Sequence, residues 1–387
     1  MSDLAIVSSK GSFRWQAGHP WIYRSDVTTR PSTPAGAVRV EDNRGKPLGV
    51  ALWSPASEIS LRMVDRNPRA TLDRAWWLAR IGDAIARRAP LAKTSSAYRL
   101  IHGEGDGLPS LVCDRYDSAL VVQLMSAGLE AFRDTIVDAL EELVRPTGIL
   151  ARNDVSLRRK EGLDVGTELL RGDVPQEIEV HEHGVRFFAA PWRGQKTGAF
   201  LDQRENRVLI GSMARGRALD CFSYHGSFAL HLAGKADSVV ALDSSGDALH
   251  RAAENCALNG IRNVSFVEAD TFDYLRDTLA AGERFDTIVL DPPAFAKTKA
   301  SLPAAIRGYK DINLRAMRLL ERGGLLFTAS CSFHLSKPAF LDMLHAAAAD
   351  SGRRVILRAI TGQPLDHPEV ITIPETGYLK SALLEVD

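Results

Sequence analysis

The sequence predicts an α/β protein whose C-terminal half is a doubly wound, Rossmann-like sheet, preceded by a small β-barrel or curled-sheet module and an α+β middle domain. Three observations lead there. From Gly216 onward, short apolar runs alternate with helical patterns at the interval of a parallel sheet with crossover helices. Two of these runs, Ile288-Val289-Leu290-Asp291-Pro292-Pro293-Ala294-Phe295 and Leu325-Leu326-Phe327-Thr328-Ala329-Ser330-Cys331-Ser332, stop abruptly in residues able to do chemistry, as buried parallel strands do when they deliver a site. Before residue 72, by contrast, Gly and Pro punctuate brief β patterns, the mark of hairpins.

Taken in order, the first segment holds the runs Ala37–Asp42, Gly49–Trp53 and Ile59–Val64, separated by Asn43-Arg44-Gly45-Lys46 and Ser54-Pro55. A boundary falls near Asn67-Pro68-Arg69, and Leu72–Ala89 then shows apolar residues at helical spacing. The middle stretch, to about residue 190, mixes strands Ala119–Leu124 and Val185–Phe188 with a helix over Leu129–Leu143. The expected domains are thus 1–72, 73–190 and 191–387. In the last, strands are predicted at Ala218–Phe222, Ser238–Leu242, Val264–Val267, Thr287–Leu290 and Leu325–Ala329. Helices fall at Ser227–Leu232, Asp247–Leu258, Phe272–Leu279, Pro303–Leu320 and Pro338–Ala349. Two closing strands, Val355–Ile360 and Tyr378–Val386, have only a loop between them and should run antiparallel.

Composition narrows the function classes. At 387 residues and 45% hydrophobic, the chain can bury a large core and should divide into two or three domains. Its 48 basic and 48 acidic side chains cancel, so any nucleic-acid surface must be a local patch. No apolar stretch is long enough to cross a membrane, and Met1-Ser2-Asp3-Leu4 does not open a secretory signal; a soluble cytoplasmic protein is expected. Cys113, Cys221, Cys256 and Cys331 form no CxxC pair and no metal-ligand cluster with histidines. No metal site is expected, and reduced thiols fit best.

In an open α/β sheet, ligands sit outside the carboxyl ends of the strands. Four successive strand ends carry Asp220, Asp243, Asp270 and Asp291. One such Asp often only caps the next helix, but four in register suggest a site. The dinucleotide fingerprint Gly-x-Gly-x-x-Gly is missing after the first strand, where Asp220-Cys221-Phe222-Ser223-Tyr224-His225-Gly226-Ser227 stands instead. A Gly turn beside a carboxylate remains, with Asp243 placed to hydrogen-bond ribose hydroxyls. A ligand with a ribose, an amine and no phosphate fits these groups, and S-adenosyl-L-methionine is such a ligand.

At this point the residues carry a resemblance. The string from Gly194 to Asn206, with Asp220–Tyr224, Asp291–Lys297 and Arg307–Asp311, resembles bacterial 23S ribosomal RNA cytosine-C5 methyltransferases of the RlmI/RlmO type. Gly18-His19-Pro20-Trp21 and the β module resemble that family's PUA domain, a small RNA-binding barrel. The middle domain matches through Glu104–Pro109 and Glu161–Leu163. Essentially the whole chain is covered. The family commonly shows Thr-Gly-Gly where this chain has His225-Gly226-Ser227.

The resemblance implies a cofactor site in which Asp220, Tyr224 and Gly226 meet the amino-acid end of S-adenosylmethionine, Asp243 the ribose, and Asp270 with Phe272 the adenine. Phe200, Asp202 and Arg204 are expected to line the approach from the other side, beside Asp291. The plainer readings are helix capping for Asp270 and a buried ion pair for Arg204. Cys331 and Asp291 are the expected catalytic pair. A thiolate adding at C6 of cytosine makes C5 nucleophilic, and an acid at N3 drains charge from the ring. Related RNA enzymes carry another cysteine where this chain has Ala294, so the nucleophile's role falls on Cys331 alone; as a bland alternative, it is a buried thiol. Phe295, Lys297, Lys299, Arg307, Tyr309 and Lys310 are the candidate RNA contacts, with core packing or solvated loop charges as alternatives. The implied partner is 23S ribosomal RNA, and family members tend to form homodimers. Two other functions compete: guanine N-methylation without covalent catalysis, and a non-catalytic RNA-binding assembly factor. The base that removes the C5 proton is not identified.

Overall fold

The computed structural model describes residues 3–296 and 298–387. The chain divides into two compact units. One takes residues up to 182, then 188–201 and 365–376; the other takes 183–187, 202–364 and 377–387.

The first unit opens with β1 (Leu4–Val7), α1 (Ser9–Gln16), β2 (Trp21–Ile22), β3 (Val27–Thr29), β4 (Gly36–Asp42), β5 (Pro47–Trp53) and β6 (Leu61–Asp65). These strands form one sheet in the order β2-β6-β5-β4-β1-β3, with the predicted hairpins β4–β5 and β5–β6 in place. α1 was not expected from the sequence; Ser8 caps it by accepting from Gly11 N. Next come α2 (Arg74–Arg88), β7 (Ala97–His102), β8 (Leu111–Tyr116), β9 (Ala119–Leu124), α3 (Ala127–Glu130), α4 (Arg133–Val144), β10 (Gly148–Arg152), α5 (Ser156–Lys160) and β11 (Thr167–Gly172). The single helix predicted over Leu129–Leu143 is therefore broken into α3 and α4. Strands β7 to β11 make a second sheet. Val50, Leu52 and Val64 of the β module share one apolar cluster with Leu100, Leu111 and Leu120, so both sheets are built on a common core. A buried ion pair, Arg62 to Glu161 at 2.8 Å, lies in the same unit. The excursion 365–376 also belongs here: Arg88 donates to the Asp366 carbonyl at 2.7 Å, and His19 meets Glu375 at 2.9 Å.

A hairpin, β12 (Ile178–Glu182) and β13 (Val185–Ala189), precedes α6 (Arg204–Met213), which, like α5, was not expected from the sequence. The alternation that follows is the one expected: β14 (Arg217–Cys221), α7 (Ser227–Ala233), β15 (Ser238–Asp243), α8 (Gly246–Leu258), β16 (Val264–Glu268), α9 (Thr271–Ala280), β17 (Phe285–Leu290), α10 (Leu302–Leu319), β18 (Leu320–Ser330), α11 (Lys337–Ser351), β19 (Val355–Thr361) and β20 (Lys380–Val386). The seven strands lie in the order β16-β15-β14-β17-β18-β20-β19. All pairings are parallel except those of β20, which runs antiparallel to both β18 and β19. Pleating sends Leu219, Ile288 and Leu326 into a core shared with α9, α10 and α11, and Ala218, Val289 and Phe327 into another with α6 and α7. Burial on both faces explains why these strands read as unbroken apolar runs. No helix among the described residues is long and apolar enough to cross a membrane.

Candidate active site

Strand order reverses between β14 and β17, and the crevice at such a switch point is where ligands bind in doubly wound sheets. All four aspartates fall at the carboxyl ends of their strands: Asp220 within β14, Asp243 ending β15, Asp270 after β16 and Asp291 after β17.

The turn after β14 is strained in the manner of binding loops. Phe222, Tyr224 and Gly226 all have left-handed backbone, with φ of 62°, 48° and 76°. Asp243 braces it: one carboxylate oxygen accepts from Tyr224 N at 2.8 Å and the other from Ser245 N at 3.0 Å. A carboxylate accepts about four hydrogen bonds, so capacity remains for two hydroxyls. Gly226 is required on two counts, since a Cβ there would also lie 2.9 Å from that of Ala252. Tyr224 stacks on His225 with centroids 3.6 Å apart. Asp220, expected beside a ligand, is instead wholly buried. It accepts from Ala229 N at 2.9 Å, while its other oxygen has no hydrogen-bond partner. Burial first, then the nearby Asp291 and Asp243 charges, hold its carboxyl well above the usual carboxylate range. Its one hydrogen bond holds the first turn of α7.

Asp291 is half-buried and accepts from Gln203 Nε2 at 2.8 Å, and Gln203 in turn accepts from Asn206 at 2.6 Å. The loop after Asp291 is joined to the loop holding Cys331 through side chains the sequence reading did not connect. Ser332 Oγ accepts from Ala296 N at 3.1 Å and bonds Tyr309 OH at 2.8 Å, while Phe295 N donates to that same phenol at 3.4 Å. Cys331 is half-buried, unlike the other three cysteines. Beside it Lys380, also missed, donates from Nζ to the Ser332 and Tyr378 carbonyls, each at 2.7 Å.

Other expected contacts are corrected. Tyr309 is 1% exposed, because it shares the inward stripe of α10 with Ala305, Ile312 and Ala316; it cannot face RNA. Burial pushes its phenol up. Lys310, on the neighbouring stripe, is paired with Asp350 at 2.6 Å. Phe295 is half-buried, packed against Tyr309 at 4.6 Å and Phe272 at 5.9 Å. Lys299 and Arg307 are exposed; Lys297 lies outside the described residues. Asp270 caps α9 by accepting from Phe272 N and Asp273 N. Arg204 is fully buried and pairs at 2.9 Å with Glu205, whose side chain reaches solvent. Asp202, 3% exposed, accepts from Tyr378 OH at 2.8 Å. Phe200 falls in the first unit, with Lys196 Nζ 4.6 Å from its ring centre.

Known proteins match this arrangement. A family model for S-adenosylmethionine-dependent methyltransferases fits residues 98–375, and one for PUA-like domains fits residues 5–66. Proteins named ribosomal RNA large subunit methyltransferase I are 40% identical in Shewanella amazonensis, over 95% of both chains, and 39% identical in Cronobacter sakazakii, over 94% of both. A putative S-adenosylmethionine-dependent methyltransferase from Streptococcus mutans superposes over the full length of both chains with a TM-score of 0.84 at 20% identity. A putative methyltransferase solved with SAH does so at 0.85 and 21%. At such identities the structures speak for the fold.

Proposed function

Since this chain belongs to the S-adenosylmethionine-dependent methyltransferase family, with a PUA-like domain ahead of the catalytic fold, we propose that it methylates C5 of a cytosine in 23S ribosomal RNA through a covalent Cys331 adduct. The observation that carries this reading is the joining of the Asp291 and Cys331 loops through Ser332 and Tyr309. That junction ties the loop after Asp291 to the loop that holds Cys331, at the ends of two neighbouring strands. The ribosomal substrate is suggested by the names of the relatives.

When bound, S-adenosylmethionine supplies a methyl group on a sulfonium. On the protein side, Asp243 has hydrogen-bonding capacity for the ribose hydroxyls, and the Tyr224–Gly226 turn offers backbone without a phosphate cradle. Phe272 supplies an apolar face for the adenine, with the exposed Asp270 next to it. Sγ of Cys331 adds to C6 of the base as a thiolate, and the C5–C6 π pair moves to C5. The Asp291 carboxyl, oriented by Gln203, hydrogen-bonds N3 and accommodates the charge the ring gains. C5 takes the methyl, its proton leaves to a base, the π bond re-forms and sulfur departs. The flipped-out base this demands costs a few kcal/mol when drawn from a duplex. The PUA-like domain, exposed Lys299 and Arg307 are the RNA-binding elements of this reading, and pairing into a homodimer belongs to it too.

Cys331→Ala is expected to abolish methyl transfer while S-adenosylmethionine binding, measured by calorimetry, survives. RNA carrying 5-fluorocytosine should be trapped covalently by the unsubstituted enzyme. Full turnover by the alanine variant, or a methylated guanine in the product nucleosides, sinks the reading.

A further inference from the structure

Lys380 has no task in the mechanism above, although it lies beside the nucleophile. It opens β20, where the antiparallel register sets it opposite Ser330, the residue before Cys331. Its bond to the Ser332 carbonyl grips the residue after Cys331, so the lysine engages the chain on both flanks of Cys331. The residue is only 3% exposed. An ammonium carries three donors, and among the described residues only the Ser332 and Tyr378 carbonyls accept from it. Two neutral carbonyls are poor recompense for taking a cation out of water; an anion opposite is what stabilises one.

We propose that Lys380 is the counter-ion of the Cys331 thiolate, a positioning residue that keeps the nucleophile charged at neutral pH without touching the RNA. This rests on the Cys331 reading above. Burial brings the Lys380 ammonium down to about 8, Cys331 acts against that shift, and Lys337, at the start of α11, adds to it. The interaction with Cys331 is mutual: a thiolate that favours the ammonium is equally favoured by it. Among the described residues Tyr309 also acts on the thiol, and its raised phenol stays neutral at neutral pH. Lys380 therefore keeps its charge up to about pH 8, and above that the cation is lost.

The test is the pH dependence of iodoacetamide alkylation on the full chain, with Cys331→Ala as the blank. Burial pushes the Cys113 and Cys221 thiols well up and that of Cys256 to about 11, so none competes near neutrality. The midpoint for Cys331 should lie about one unit or more below the ~8.5 of a free thiol. It should rise by about one unit in Lys380→Met and return in Lys380→Arg. A wild-type midpoint at or above ~8.5 overturns the ion pair, as does an unchanged midpoint in a folded Lys380→Met. If that variant does not fold, the wild-type midpoint decides. The assay needs neither RNA nor methyl donor. A low midpoint in a protein whose methylation does not require Cys331 would retain the ion pair and refute the cytosine mechanism; a normal midpoint in a Cys331-dependent enzyme would do the reverse.

Discussion

Replacing Tyr309 with Phe removes one oxygen from the junction between the loops that carry Asp291 and Cys331. The phenol is buried and holds Ser332 Oγ at 2.8 Å and Phe295 N at 3.4 Å, so the substitution deletes one good hydrogen bond and leaves a weak donor unmet. An unsatisfied buried group costs about 1–3 kcal/mol, and the ring itself is kept, so no cavity opens. For a unit of this size that corresponds to a melting temperature lower by about 2–12 °C. The larger effect should be on turnover. Ser332 neighbours Cys331, and a shift of about 1 Å in a reacting group costs up to about a hundredfold in rate. Methyl transfer to 23S RNA, followed with labelled cofactor, should therefore show a reduced kcat at unchanged KM for RNA. An unaltered melting temperature with full kcat would refute the junction. A raised KM with intact kcat would put Tyr309 on the RNA after all.

Gly226→Ala combines left-handed backbone, costing about 1–2 kcal/mol, with a contact too short for two carbons; thermal melts and cofactor titration should both show a loss, and neither changing would mean that the turn is more yielding than drawn. Asp220 has its carboxyl raised by burial, so its neutral form stabilises the fold fully below about pH 3.8 and this contribution is lost as pH rises through the raised value. Asp220→Asn, which cannot ionise, should gain stability relative to the wild type as pH increases in denaturant titrations; a difference independent of pH would contradict the assignment.

The parallel strands were legible because burial on both faces leaves Ile288, Val289 and Leu290 no polar partner to alternate with. Their terminal aspartates followed from the same logic. Short helices were not: α1 has Gly11 in its middle and few apolar residues, and α6 begins inside a string that reads as a loop motif. Site errors came from orientation. The stripe Ala305, Tyr309, Ile312 and Ala316 was written at helical spacing, and heeding it would have turned Tyr309 inward and Lys310 aside. Nothing local marks the burial of Arg204, which follows from tertiary packing. Lys380 meets Cys331 only through the register of β18 and β20, strands separated by α11 and β19, and no short-range pattern encodes that register.

The excursion 365–376 has a consequence for how this protein can be taken apart. The chain changes unit at five boundaries, after residues 182, 187, 201, 364 and 376, so neither unit is a continuous stretch of gene. A fragment beginning at Asp202 would hold the whole seven-stranded sheet, yet carry between β19 and β20 twelve residues whose partners, Arg88 and His19 among them, had been cut away. Proteolysis or truncation should therefore not release a clean catalytic half, and the PUA-bearing unit cannot be exchanged for another by joining sequences end to end.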